Sequence, residues 1–249
     1  MKIQSLPKEP LSIINIILLT LKAYPKVVPR IWMFVALSSV GHLVIPWLYQ
    51  INPAFAAVAL FGFVLLTWFL YPIIMWLVEA EFEGGAHMPH SVAYQMARER
   101  YLSILGSNLV FFAIGLFVAL VIYGLDLVFH LIGHHPFFFA ISIALSLYIF
   151  IMLYFAIPCI VIEKNVVIGA FFRSIALVKN NWWRTFVPLA LIGLAILGFE
   201  ALGILFTGKA RMFLFTGYNF ILQMLFYPLI VTVTLVMLND LVLRHQKRG

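Results

Sequence analysis

Residues 55–78 read FAAVALFGFVLLTWFLYPIIMWLV, twenty-four positions without one charged side chain. Wound as an α-helix at 1.5 Å per residue, such a run reaches about 36 Å, enough to cross a hydrocarbon core roughly 30 Å thick. Five more runs have the same character: Ile31 to Tyr49, Leu102 to Phe129, Phe137 to Ile162, Phe186 to Phe206 and Tyr218 to Leu243. In lipid every backbone N–H and C=O must find its partner within the segment, so spans of this composition predict helices. The chain is 64% hydrophobic and only 10% charged over 249 residues, which excludes an ordinary soluble domain. The expected fold is all-α: a polytopic membrane protein with six transmembrane helices.

The net charge of +7 would suggest nucleic acid in a soluble chain, but its placement gives another account. Six crossings bring both termini to one side. Lys2, Lys8, Lys22, Lys26, Arg30, Arg98, Arg100, Lys164, Arg173, Lys179, Arg184, Arg244, Lys247 and Arg248 fall on that side, 14 of the 16 basic residues. Only Lys209 and Arg211 fall on the other. The positive-inside rule therefore predicts cytoplasmic termini, with basic residues meeting anionic head groups and no role in nucleic-acid binding. The apolar run Leu11 to Leu21 lacks a small-residue cleavage site and is too short to span, so it is read as a retained interfacial or re-entrant helix. Cys159 stands alone, which excludes an intrachain disulfide.

Laid on itself, the chain repeats one plan three times: an amphipathic stretch, a basic or aromatic junction, a span, a brief loop and a returning span. The units run from about 12 to 79, 91 to 163 and 170 to 243 within one membrane domain. Lys22, Arg100 and Lys179 take equivalent places. The returning spans carry Tyr71-Pro72, Tyr154 to Pro158 and Tyr227-Pro228, followed by Glu79, Glu163 or Asp240. An even number of crossings per unit makes the units parallel, which predicts a pseudo-threefold bundle. Pro72, Pro158 and Pro228 would each kink a span, and three such kinks would open a central groove.

Ile157-Pro158-Cys159-Ile160-Val161-Ile162-Glu163-Lys164, then Gly169-Ala170, Arg173-Ser174, Leu177 and Asn181-Trp182-Trp183, resembles a recurring bacterial pattern. It is similar to the YciC-like inner-membrane proteins and to the membrane domain found fused to glycerophosphodiester phosphodiesterases. Such families carry a glycine soon after the acid, where this chain has Val166 and delays its glycine to Gly169. The resemblance implies a membrane domain without the phosphodiesterase activity, because these 249 residues contain no soluble catalytic domain.

Several residues invite a functional reading. Glu200 lies within span five, where a carboxylate costs about 3 kcal/mol unless paired, protonated or wetted. His42 lies at similar depth in span one. The two are expected to face the bundle interior, as a fixed polar contact or as a proton or substrate site. Asp126, His130 and His134 recur every fourth residue and would align on one helical face as metal ligands, but Gly133 and Pro136 favour a wet loop, and no metal is assigned. Glu79, Glu81, Glu83, His87 and His90 surround Gly84-Gly85 and Pro89 and read as an acidic turn. Arg173, Ser174, Lys179, Trp182, Trp183 and Arg184 combine cations with indoles at the mouth of span five, the composition of a phospholipid head-group contact. Ser174 has no neighbouring histidine and acid, and no glycine-rich phosphate loop, nucleophile elbow or cysteine cluster is present. The sequence therefore predicts no enzyme and no cofactor.

The leading expectation is a non-enzymatic protein that contacts membrane phospholipids and assists lipid distribution or envelope maintenance. The alternatives are a scaffold for another membrane-protein partner and a small-solute or proton-coupled transporter using Glu200 and His42.

Overall fold

A computed structural model describes residues 6–82, 88–130, 135–207 and 212–247, with side chains omitted for 125–130, 135–139, 205–207 and 212–215. The described residues form eight helices: α1 Ile13–Ile51, α2 Pro53–Phe82, α3 His90–His130, α4 His135–Leu153, α5 Ala156–Val161, α6 Val167–Val178, α7 Trp182–Thr207 and α8 Met212–Gln246. Six segments are long and apolar enough to cross a membrane. They lie on α1, α2, α3, the α4–α5 pair, α7 and α8, matching the six expected spans, and the chain is a multi-pass all-α membrane protein. It divides into two compact units, one of residues 1–101 and 183–249 and the other of residues 102–182.

In the first unit, α1 and α2 are joined through a single residue. Ser12 opens α1 by accepting the N–H of Asn15 at 3.2 Å. At the other end, the N–H of Asn52 donates to Leu48 O at 2.8 Å, while its side-chain oxygen accepts the N–H of Ala54 at 2.8 Å. Asn52 thus caps both helices, and Pro53, whose missing N–H costs nothing at a first helical position, starts α2. Ile16, Thr20, Ala23, Val27, Ile31, Val35 and Ser39 are buried on α1, spaced three and four apart as a single helical stripe.

Packing is uneven along this unit. On α2, burial is nearly continuous from Leu70 to Phe82, yet in the half near Asn52 only Ala56 is buried. α8 follows suit, with Val231 to Val236 closed off and its earlier turns looser. The unit is therefore tight at the end carrying Glu81 and Asp240 and open toward the end carrying Asn52.

That tight end is fastened by polar contacts. Arg30 pairs with Glu81. Leu11 donates its N–H to Asp240 at 2.6 Å, and its carbonyl accepts from Arg184 at 2.8 Å and Arg244 at 2.7 Å. Arg244 also pairs with Asp240 at 2.9 Å. The anticipated separate helix at Leu11 to Leu21 is instead the first part of α1, which continues through Pro25 and Pro29 for 39 residues, about 58 Å. α3 likewise joins its amphipathic stretch to its span. Only the third such stretch stands alone, as α6, because Asn181 ends it by donating its backbone N–H to Val178 O at 2.7 Å and its side-chain amide to Leu177 O at 3.1 Å.

In the second unit Leu153, Ala156 and Phe171 form a small core, with Phe111, Ile114, Ile149, Val167 and Ile175 packed around it. Pro158 has no N–H, which denies a helical bond to the carbonyl of Tyr154, and the chain breaks between α4 and α5. Ser174 of α6 repairs the break: its hydroxyl accepts the N–H of Phe155 at 3.1 Å and donates to Met152 O at 2.8 Å. α2 and α8 run unbroken through Pro72 and Pro228. Lys164, at φ 61°, ends α5 in the left-handed region.

Candidate functional site

The loosely packed end of the first unit holds the polar residues that the sequence singled out. His42 of α1 and Glu200 of α7 line one cavity of about 110 Å³, together with Ile196 and, from α8, Asn219, Leu222, Gln223, Phe226, Tyr227 and Ile230. A water needs only about 10–15 Å³ by this kind of measure, so the space takes several waters or a small polar group. Glu200 stands seven residues before the end of α7 and His42 nine before the end of α1, roughly 10 Å and 14 Å along their axes. Both lie within the apolar stretch of their helices.

What makes this cavity chemically distinct is that four of its polar residues hold unspent groups. His42, Glu200 and Gln223 have no hydrogen-bond partner among the described residues, and the side-chain oxygen of Asn219 is buried without one. Neighbouring hydroxyls behave differently: Ser38 donates to Val35 O at 2.8 Å and Thr67 to Phe63 O at 2.8 Å, each satisfied on its own helix.

Two more cavities adjoin this one. His42 and Asn219 also line a space of about 520 Å³ walled largely by Gly41, Ile45, Pro46, Leu60, Phe63, Val64 and Trp68. Phe226 is shared with a third, of about 150 Å³, where Pro188, Leu191, Ile192 and Ala195 of α7 face Ile17, Leu21, Leu229 and Val233. Thr20, the polar residue of that lining, donates to Ile16 O at 2.8 Å. Pro46 and Pro188 are thus the prolines lining these cavities; Pro72, Pro158 and Pro228 are not among the lining residues. No family model, curated protein or solved structure matches the chain. What the site does has to be argued from its own chemistry.

The sequence pointed to His42 and Glu200 and missed Asn219 and Gln223. A signal was present, since two amides four residues apart in an apolar span occupy one helical face.

The six residues expected at the head-group collar divide between the units after Trp182. In the second unit, Arg173 forks onto Glu163 with two bonds of 2.9 Å, and Asn165 adds a third contact to that carboxylate at 3.0 Å. The hydrogen bond to Glu163 raises the Arg173 guanidinium above its ordinary value; partial burial opposes this, and the carboxylate's charge adds to it. Ser174 is fully buried in the α4–α5 repair. Trp182 stacks on Tyr148 with ring centroids 6.0 Å apart, and Lys179 is exposed. In the first unit, Trp183 is exposed beside Phe186, while Arg184 is committed to the Leu11 carbonyl. Lys179 and Trp183 are accordingly the two that present themselves outward.

Of the acidic turn, Glu81 is the partner of Arg30, and His90 packs edge-on against Phe34 at 5.4 Å. Glu83 and His87 lie outside the described residues. Asp126 and His130 continue α3, but their side chains and the whole of His134 are likewise outside the description. Among the described residues, no three His, Cys, Asp or Glu side chains gather as a metal site.

Proposed function

We propose that the protein binds membrane phospholipid in the cavities of its first unit and takes part in lipid distribution or envelope maintenance, without enzymatic chemistry. In this reading it sits in a bacterial inner membrane with both termini in the cytoplasm. The observation that carries the proposal is that His42 and Asn219 belong at once to a small polar cavity and a larger apolar one. A small hydrophilic solute would have no use for the roughly 520 Å³ walled by leucine, isoleucine and aromatic rings. A wholly apolar ligand would leave the buried Asn219 oxygen unpaired, at a cost of about 1–3 kcal/mol, and would make no use of Glu200 or Gln223. An amphiphile satisfies both. On the cytoplasmic face, Lys179 of the second unit and the exposed indole of Trp183 of the first are each suited to head groups in the ordinary interfacial way.

The test is photo-crosslinking in proteoliposomes with a phospholipid carrying a diazirine on one acyl chain. Labelling concentrates on peptides holding Leu60 to Trp68 and Asn219 to Phe226, and Gly41→Trp, which fills the larger cavity, suppresses it. Labelling spread evenly over the lipid-facing residues of α3 and α7 would reject the reading.

The shared cavity of His42 and Glu200 favours a second reading, a proton-coupled transporter. That reading demands solute-dependent proton movement in sealed liposomes that Glu200→Gln abolishes, whereas the lipid reading demands none.

A further inference from the structure

We infer that the polar cavity is the seat of a primary ammonium group, so that the lipid it selects is one with an ethanolamine-type head. This rests on the phospholipid reading above and specifies the head group.

Among the described residues the lining contains one carboxylate, Glu200, and no lysine or arginine. An anionic glycerol-type head would bring its phosphate to a carboxylate with no fixed cation in the wall to hold it. A cationic nitrogen is complementary to that carboxylate, and the attraction is strengthened where water is scarce. The kind of cation follows from hydrogen bonding. Glu200, when ionised, only accepts, and the Asn219 side-chain oxygen is a buried acceptor with no partner. A primary ammonium brings three N–H donors to such a place, whereas a quaternary choline nitrogen brings none. His42 and Gln223 stand in the same wall with N–H groups to offer the phosphate.

The experiment uses the full-length protein in nanodiscs containing equal amounts of ethanolamine, choline and glycerol phospholipids with identical acyl chains. Native mass spectrometry after release reads the retained lipid. Ethanolamine lipid is expected to be enriched roughly tenfold over each of the others, the ratio set by about 1.4 kcal/mol. Glu200→Gln should lower that ratio to near one while lipid is still retained. Added free phosphoethanolamine, which lacks the chain, should not displace it. Lipid retained with no head-group preference, or a preference unchanged in Glu200→Gln, overturns this inference and leaves the phospholipid reading standing. Retention of no lipid by the parent protein overturns both. Displacement by the free head group would mean that the site serves a soluble amine. Because the parent protein alone yields the ratios, the inference is decided even if the variant fails to fold.

Discussion

A β-carbon placed on Gly203 of α7 would run into the ring of Tyr218 on α8. The ring is not free to swing away, because its hydroxyl donates to the Phe199 carbonyl at 2.6 Å, one turn earlier on α7. The absence of a side chain at Gly203 therefore sets how closely the two helices meet beside the polar cavity. Gly203→Ala is expected to destabilise the protein by about 1–3 kcal/mol, the usual cost of overpacking. Tyr218→Phe, which loses only the hydrogen bond, should cost about 1 kcal/mol. Adding Tyr218→Ala to Gly203→Ala should recover much of the overpacking loss. Melting curves in mild detergent check all three, and a Gly203→Ala curve matching the parent would contradict the close approach.

Ser174 supplies two of the hydrogen bonds missing at the break before Pro158. In Ser174→Ala the buried N–H of Phe155 loses its acceptor and the Met152 carbonyl loses a donor, for an expected loss of about 1–3 kcal/mol. Pro158→Ala restores an N–H at position 158 and allows α4 and α5 to join. The serine then has less to repair, so a double-mutant cycle between the two positions should give a clear coupling energy. Additive melting shifts would mean that the serine and the break are unrelated.

Lys164 holds φ at 61°, where a β-branched side chain is badly placed. Lys164→Val should cost more than about 1 kcal/mol. Lys164→Gly should leave stability unchanged or raise it by up to about 1 kcal/mol, strain relief being offset by the greater freedom of glycine when unfolded. The pair of melting temperatures tests the turn, since reversal of their order is incompatible with a left-handed residue there.

These details divide the sequence into what could be read and what could not. Uncharged runs such as Phe55 to Val78 reveal the spans because lipid imposes one requirement on every residue in them. Glu200 and His42 were conspicuous for the same reason, as costly groups in a place with few explanations. The fate of Arg173 was not legible: whether a guanidinium meets a lipid phosphate or Glu163 depends on how α5 turns into α6, a matter of tertiary geometry. The length of α1 was not legible either: it continues through Pro25 and Pro29, because a helix that packs on two neighbours retains most of its contacts when two internal hydrogen bonds are lost. Asn219 was passed over because its significance lies in the cavity opposite it, which no periodicity announces.

For the Glu163–Arg173 pair the direction of the pH dependence follows from the raised guanidinium value. A basic group whose folded value lies above its unfolded value contributes stability that is complete below the unfolded value and is lost only as pH rises through the folded one, far into the alkaline range for a guanidinium. On the arginine side nothing therefore changes between pH 6 and 9. Arg173→Gln should lower stability by about 1 kcal/mol, modest because the pair is partly solvated. The melting difference from the parent should be flat across that range. A difference that shrinks steadily toward pH 9 would show that the guanidinium is not held in its charged form.

Asp240 joins the end of α8 to the segment before α1. Its side chain is only 1% exposed, and it accepts from the Leu11 N–H and from Arg244. Asp240→Ala removes both contacts at once, leaving a backbone N–H without its acceptor and a guanidinium without its counter-charge; for a buried pair broken on one side the expected cost is about 3–5 kcal/mol. The two consequences can be separated. Asp240→Asn retains an oxygen able to accept from Leu11 and loses only the charge, so it should fall between parent and Asp240→Ala in melting temperature. Brief proteolysis distinguishes them further: Asp240→Ala should expose the chain before Ser12 to cleavage well below its melting temperature, while Asp240→Asn should protect it. Equal protection in both variants would mean that Arg184, which also donates to the Leu11 carbonyl, is enough to hold the segment. The carboxylate would then matter to α8 alone.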